Sequence, residues 1–75
     1  MSLKDTLFAS TDHLRILKQR YHQGDPNISY EQLRDAARTV LELRFQSEAA
    51  FRQTHGEPNA KPKKVTPRHI ADLLR

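Results

Sequence analysis

The sequence predicts an all-α fold, a single small domain of three helices. Hydrophobic residues make up 36% of the 75 positions, and only two positions are glycine. β-Branched residues are few and no apolar run alternates with period two, which disfavours a sheet. Apolar residues instead recur at helical spacing in three stretches. We therefore expect one domain over residues 1–75, with helices at about 12–23, 30–54 and 67–75.

The first helix is expected over residues 12–23. Ser10 or Thr11 would cap its start, and Gly24 would end it. The preceding "SLKDTLF" is either one further helical turn or a frayed end. The apolar stripe of this helix consists of Leu14, Leu17 and Tyr21. The following "GDPN" is a turn, and so short a connection makes the first two helices antiparallel neighbours.

The long second helix has the clearest start in the chain. Ser29 is a favourable N-cap, and Gln32 stands at the capping-box position three residues later. Ile28 and Leu33 have the spacing of a hydrophobic staple across that cap. The helix should end before the glycine and proline of "HGEP".

The second helix carries an apolar arc too wide for one neighbour to cover. The arc consists of Leu33, Ala36, Ala37, Val40, Leu41, Leu43, Ala50 and Phe51. So wide an arc in so small a chain predicts a homodimer packed through this helix. Arg44 projects into the arc, with Ser47 and Glu48 one turn on. Either Arg44 pairs with Glu48 within the helix, or the cluster lies at the dimer interface and fixes its register; a ligand contact for Arg44 is the third interpretation.

The candidate dimer-interface residues follow from that arc and its polar centre. They are Leu33, Val40, Arg44, Ser47, Glu48 and Phe51.

The end of the chain combines a basic linker with a short helix. Residues 56–65 contain two prolines and no apolar periodicity, so we expect an extended, solvated linker. Thr66 would cap the third helix, and Pro67 suits its first position because proline lacks an N–H. The stripe of this helix consists of Ile70, Leu73 and Leu74.

Positive charge is concentrated in that last part of the chain. The formal net charge is +4, and residues 57–75 hold five basic and two acidic groups. The candidate anion- or nucleic-acid-binding residues are Lys61, Lys63, Lys64, Arg68 and His69. Lysines on a loop neutralise phosphates without reading sequence, and the N-terminus of the third helix adds N–H donors. The alternative is that these lysines only solvate the loop.

Two functions follow as hypotheses. The first is an accessory or regulatory module that contacts nucleic-acid backbone through the basic C-terminal segment. The second is a protein–protein interaction adaptor whose helical surface docks a partner protein. Both functions are non-enzymatic. The sequence contains neither a nucleophile elbow nor a phosphate-binding glycine loop, and so small a domain has little room for a pocket.

Other classes of site and location are disfavoured by the composition. The chain has no cysteine, and no two of its four histidines have metal-ligand spacing, so neither a metal nor a cofactor is expected. No apolar run is long enough to span a membrane and no secretory leader is recognisable, so we expect a cytoplasmic protein.

The stretch "KPKKVTPRHIADLLR" resembles the last loop and helix of eukaryotic histone-fold proteins. The matching positions are Val65, Pro67, Arg68, His69 and Ile70. This resemblance implies an obligate dimer that binds the DNA backbone, although "HGEPNA" makes the preceding linker longer than the second loop of that fold. The segment "TPRHIADLL" is similar to the opening helix of helix-turn-helix domains, but no recognition helix follows it within these residues. Neither family is assigned on these matches.

Overall fold

A computed structural model of the chain describes residues 2–75 and contains three α-helices within them. α1 spans Leu3–His22, α2 spans Tyr30–Thr54 and α3 spans Pro67–Leu73. No strand occurs in residues 2–75. The predicted all-α class and the order of the helices are confirmed.

α1 starts earlier than the sequence analysis placed it. Ser2 is the N-cap, and its Oγ accepts a hydrogen bond from the Asp5 N–H at 3.2 Å. The expected cap at Ser10 or Thr11 is wrong, because both residues lie inside the helix. Thr11 instead donates its hydroxyl to the Leu7 carbonyl at 2.8 Å. A hydroxyl that can bond the preceding turn in this way does not have to mark a helix start.

α2 has the predicted bounds and the predicted capping box. The Gln32 N–H donates to Ser29 Oγ at 3.2 Å, and the Ser29 N–H donates to Gln32 Oε1 at 2.7 Å. Leu33 is buried and Ile28 packs against the same core, as the staple requires. The local sequence "ISYEQL" therefore defines the start of this helix.

α1 and α2 both end at a glycine with a left-handed backbone. Gly24 has φ 85° and Gly56 has φ 117°. In each case the residue after the glycine donates its N–H to a carbonyl in the last helical turn, the main bond of a Schellman motif. These bonds join Asp25 to Arg20 at 3.0 Å and Glu57 to Arg52 at 2.9 Å. The motif turns the chain back along the helix that it leaves.

A single hydrophobic core lies between the three helices. Its buried members are Leu14, Leu33, Ala37, Val40, Leu41, Phe45 and Ile70. On α2 the buried positions recur every fourth residue from Leu33 to Ala49, and such a row rotates by about 40° per step around the helix. The buried row therefore winds away from Phe51, which the sequence analysis placed in the arc and which is 63% exposed.

α3 closes the core at its open side. Ile70 is buried, and Leu73 and Leu74 pack against the same cluster. Lys18 of α1 donates from Nζ to the Leu73 carbonyl at 3.1 Å. A cation at the C-terminal end of a helix is favourable, because the unpaired carbonyls there carry partial negative charge.

The chain is extended for its mass. Its Cα atoms span 47 × 27 × 14 Å with a radius of gyration of 14.1 Å. A compact domain of this length has a radius of gyration of about 11 Å. The accessible surface is 5737 Å², where a folded monomer of 8.7 kDa exposes about 4,700 Å². The three helices therefore leave much surface uncovered.

No helix among residues 2–75 combines the length and the apolar character that a bilayer crossing requires.

Candidate functional site

The linker between α2 and α3 follows the side of α2 instead of extending into solvent. Gln53 donates from Nε2 to the Ala60 carbonyl at 2.8 Å. Ala60 and Val65 are half-buried, and Val65 packs against the core. The expectation of a solvated linker is therefore wrong at Ala60 and Val65, whereas the other linker residues are exposed. Periodicity could not show this, because the contacts of an extended segment depend on the neighbour it lies along.

The lysines of the linker remain exposed, and α2 contributes a further cation beside them. Lys63 and Lys64 line a shallow groove of about 500 Å³ together with Arg38 and Glu42 of α2. We call this the basic groove. Glu42 is its one acidic lining residue, so the groove has a net positive charge. Sequence reasoning missed Arg38, because its place beside the lysines depends on the path of the linker.

The other two predicted cations lie outside the basic groove. Lys61 is exposed on the linker, in a second shallow groove with Gln53 and Pro58. Arg68 is exposed on α3, two positions before the buried Ile70. Two positions correspond to about 200° of rotation, so Arg68 points away from the core.

The N-terminus of α3 is closed by its own side chains. The His69 N–H donates to Thr66 Oγ1 at 3.3 Å, and the Thr66 N–H donates to His69 Nδ1 at 3.2 Å. The Ile70 N–H donates to the Thr66 carbonyl, and Pro67 has no N–H. Most of the donors that an anion would need are therefore used within the cap.

His69 has a structural role that the sequence analysis did not assign. Its Nδ1 accepts a hydrogen bond in the cap, and its ring packs edge-on against Phe45 with the centroids 5.2 Å apart. His69 is one of the predicted anion-binding residues, and a positively charged imidazole in the first turn of a helix would oppose the helix dipole. A capping imidazole that accepts at Nδ1 relieves that conflict without an anion. The spacing of Thr66 and His69, three residues as in a capping box, is the signal that was available.

The six candidate dimer-interface residues fall into two groups. Leu33 is 3% exposed and Val40 is 0% exposed, so both are already covered within one chain. Arg44, Glu48 and Phe51 are exposed, and Ser47 is half-buried. Only these four offer surface to a second copy.

Arg44 and Glu48 are not paired with each other. The ion pairs within residues 2–75 are Arg15–Asp12 at 2.8 Å and Arg75–Asp72 at 3.8 Å. Of the three interpretations of Arg44, the pair within the helix is therefore not present. Arg44 and Glu48 line a groove of about 360 Å³ between α2 and α3, whose apolar wall includes Leu41 and Leu73.

A further groove runs between α1 and α2, and no residue of the linker or α3 lines it. It has a volume of about 550 Å³ and small residues on both walls, Ala9 on α1 and Ala36 on α2. Phe8 precedes Ala9 in the sequence and is 66% exposed, but it does not line this groove. Within residues 2–75, no group of histidine and acidic side chains is placed to hold a metal ion.

No protein-family model, no curated protein and no solved structure matches the chain.

Proposed function

We propose that the chain is a non-enzymatic accessory module that contacts the phosphate backbone of a nucleic acid through the basic groove. The supporting observation is that Arg38 of α2 lies in one groove with Lys63 and Lys64 of the linker. Cations from two segments form a surface that a single lysine-rich loop does not provide. Each phosphate that they neutralise releases condensed counterions, which favours binding.

The lining of the groove favours backbone contact over base recognition. No aromatic residue lines it, so no platform for base stacking is present there. Lysines act as point charges and carry little sequence information. Lys61 and Arg68 are exposed near the two ends of the lysine segment and would add contacts outside the groove. The proposed binding is therefore independent of sequence and sensitive to salt.

A titration with labelled duplex and single-stranded DNA at several salt concentrations tests this function. We expect the affinity to fall steeply with salt, and Lys63→Ala, Lys64→Ala and Arg38→Ala each to reduce the salt slope by about one. Arg20→Ala is the matched control, an exposed cation in the last turn of α1. Absence of binding at low salt would exclude the function. Binding that Arg38→Ala leaves unchanged would exclude the groove as its site.

A protein–protein interaction adaptor is the second candidate function. It is favoured by the open groove between α1 and α2, whose walls include Ala9 and Ala36. Apolar surface that a small domain leaves uncovered is typical of interaction sites. Affinity capture with wild-type chain and with Ala9→Arg and Ala36→Arg variants tests it. Partners that bind all three alike would contradict docking in this groove.

We also propose that the chain functions as a homodimer. The accessible surface exceeds that of a typical monomer of the same mass by about 1,000 Å². A standard interface buries about 800 Å² on each partner, so one such interface would cover most of this excess.

A further inference from the structure

One stripe of α2 has a composition that is symmetric about its centre. Leu41, Arg44, Glu48 and Phe51 follow one another at steps of three, four and three residues. Such steps place side chains along one line of a helix, as in a coiled coil. Apolar residues stand at both ends of the line and opposite charges stand in the middle. We call these four residues the α2 stripe.

We propose that a second copy of the chain packs antiparallel on the α2 stripe, with the two-fold axis midway between Arg44 and Glu48. This inference rests on the homodimer proposed above and specifies its surface and register. In a two-fold interface each contact occurs twice, with the roles of the residues exchanged. Arg44 then faces the partner's Glu48, and Phe51 faces the partner's Leu41. No other register matches both the charges and the apolar ends.

The charges of the stripe are available for such a contact. Arg44 and Glu48 are both exposed, and neither takes part in an ion pair within residues 2–75. In a two-fold antiparallel contact, each Arg44 pairs with the partner's Glu48, so two ion pairs form across the interface. A parallel contact would instead place each charge against its own copy, and like charges directly opposite are repulsive.

The apolar ends of the stripe are an exposed aromatic ring and a residue in the wall of a groove. Phe51 is 63% exposed, and its ring stacks on His55 at 3.9 Å, which restricts its orientation. Leu41 is only 5% exposed, but it lies in the wall of the groove between α2 and α3. The proposed two-fold axis brings Phe51 to the opening of that groove on the partner. Aromatic anchors that enter a pocket carry much of the binding energy in protein interfaces.

Sedimentation equilibrium over a wide range of concentrations tests the proposal by charge exchange. We expect Arg44→Glu and Glu48→Arg each to weaken dimerisation at least about tenfold, because each places like charges together twice. The double variant, which exchanges the two charges, should have a dimer dissociation constant within about threefold of the wild-type value. Phe51→Ala should weaken dimerisation at least about tenfold as well. Arg34→Glu, an exposed position on α2 outside the stripe, is the matched control.

Two controls separate this proposal from other effects. Far-UV circular dichroism of each variant at low concentration shows whether the monomer is folded. All four changed side chains, Arg34, Arg44, Glu48 and Phe51, are exposed in the monomer. A wild-type chain that stays monomeric at every concentration overturns the proposal, and so does a dimer that the charge variants leave unchanged. Either result leaves nucleic-acid binding to be judged by its own titration, because the basic groove and the α2 stripe consist of different residues.

Discussion

The His69 imidazole connects a helix end to the core of the molecule. It completes the capping box of α3 through Nδ1, and its ring contacts Phe45, a buried residue of α2. α3 has seven residues, too few to be stable as an isolated helix. Its structure therefore depends on the cap and on the packing of Ile70, and His69 contributes to both the cap and the packing.

We expect Thr66→Ala and His69→Ala to destabilise the fold, and the double variant to cost less than their sum. Loss of an N-cap hydroxyl costs about 1 kcal/mol. His69→Ala removes the reciprocal hydrogen bond together with an edge-on aromatic contact, worth about 0.5–1.5 kcal/mol. The two residues share one capping box, so their effects are coupled. Urea unfolding and amide exchange in α3 measure these changes.

Arg68→Ala is the control for these variants, because Arg68 is exposed on the same helix turn. His69→Gln should recover part of the stability, since glutamine at this position can make the reciprocal bond of a capping box. If His69→Ala were as stable as Arg68→Ala, His69 would have no structural role.

At the scale of the elements, both long helices depend on a glycine to end. A Cβ built at Gly24 would meet no atom within 4 Å, so a substituted side chain would not clash with its surroundings. A substitution there therefore destabilises the fold only through the backbone conformation. The left-handed conformation costs an L-residue about 1–2 kcal/mol, and asparagine tolerates it better than alanine. We expect Gly24→Ala to lower the unfolding free energy by that amount and Gly24→Asn to lower it less.

Chemical denaturation of these two variants checks the prediction. Gln23→Ala is the matched control, because Gln23 precedes the glycine with an ordinary φ of −81°. Equal stabilities for the alanine and asparagine variants at position 24 would mean that the loss does not come from the backbone.

The boundaries that were predictable are those that local chemistry determines. α2 begins at Ser29 because the capping box and the staple are encoded within six residues, "ISYEQL". The start of α1 was missed because Ser10 and Thr11 resemble caps, whereas Ser2 with Asp5 forms the cap that is used. Arg38 was missed as a site residue for a different reason. Its neighbours Lys63 and Lys64 are distant in sequence, and only the folded linker brings them to α2.

At the scale of the whole molecule, the two proposed binding surfaces lie at different places on α2. The basic groove lies between α2 and the linker, and the α2 stripe faces the groove between α2 and α3. Lys63 lines both grooves, so a partner on the stripe would lie close to the cations. A two-fold dimer would present two basic grooves, and two linked contacts bind one polyanion more tightly than a single contact.

Dimerisation should also appear as a dependence of thermal stability on protein concentration. A folded dimer that separates on unfolding is stabilised by mass action, so its Tm rises with concentration. For a domain of this size we expect a rise of a few degrees for each tenfold increase above the dissociation constant. Arg44→Glu should show a lower Tm with little dependence on concentration, and the double charge exchange should restore the dependence. A wild-type Tm that is constant over the whole dilution series would contradict the dimer. The monomer, with its large exposed surface, would then be the species present at equilibrium.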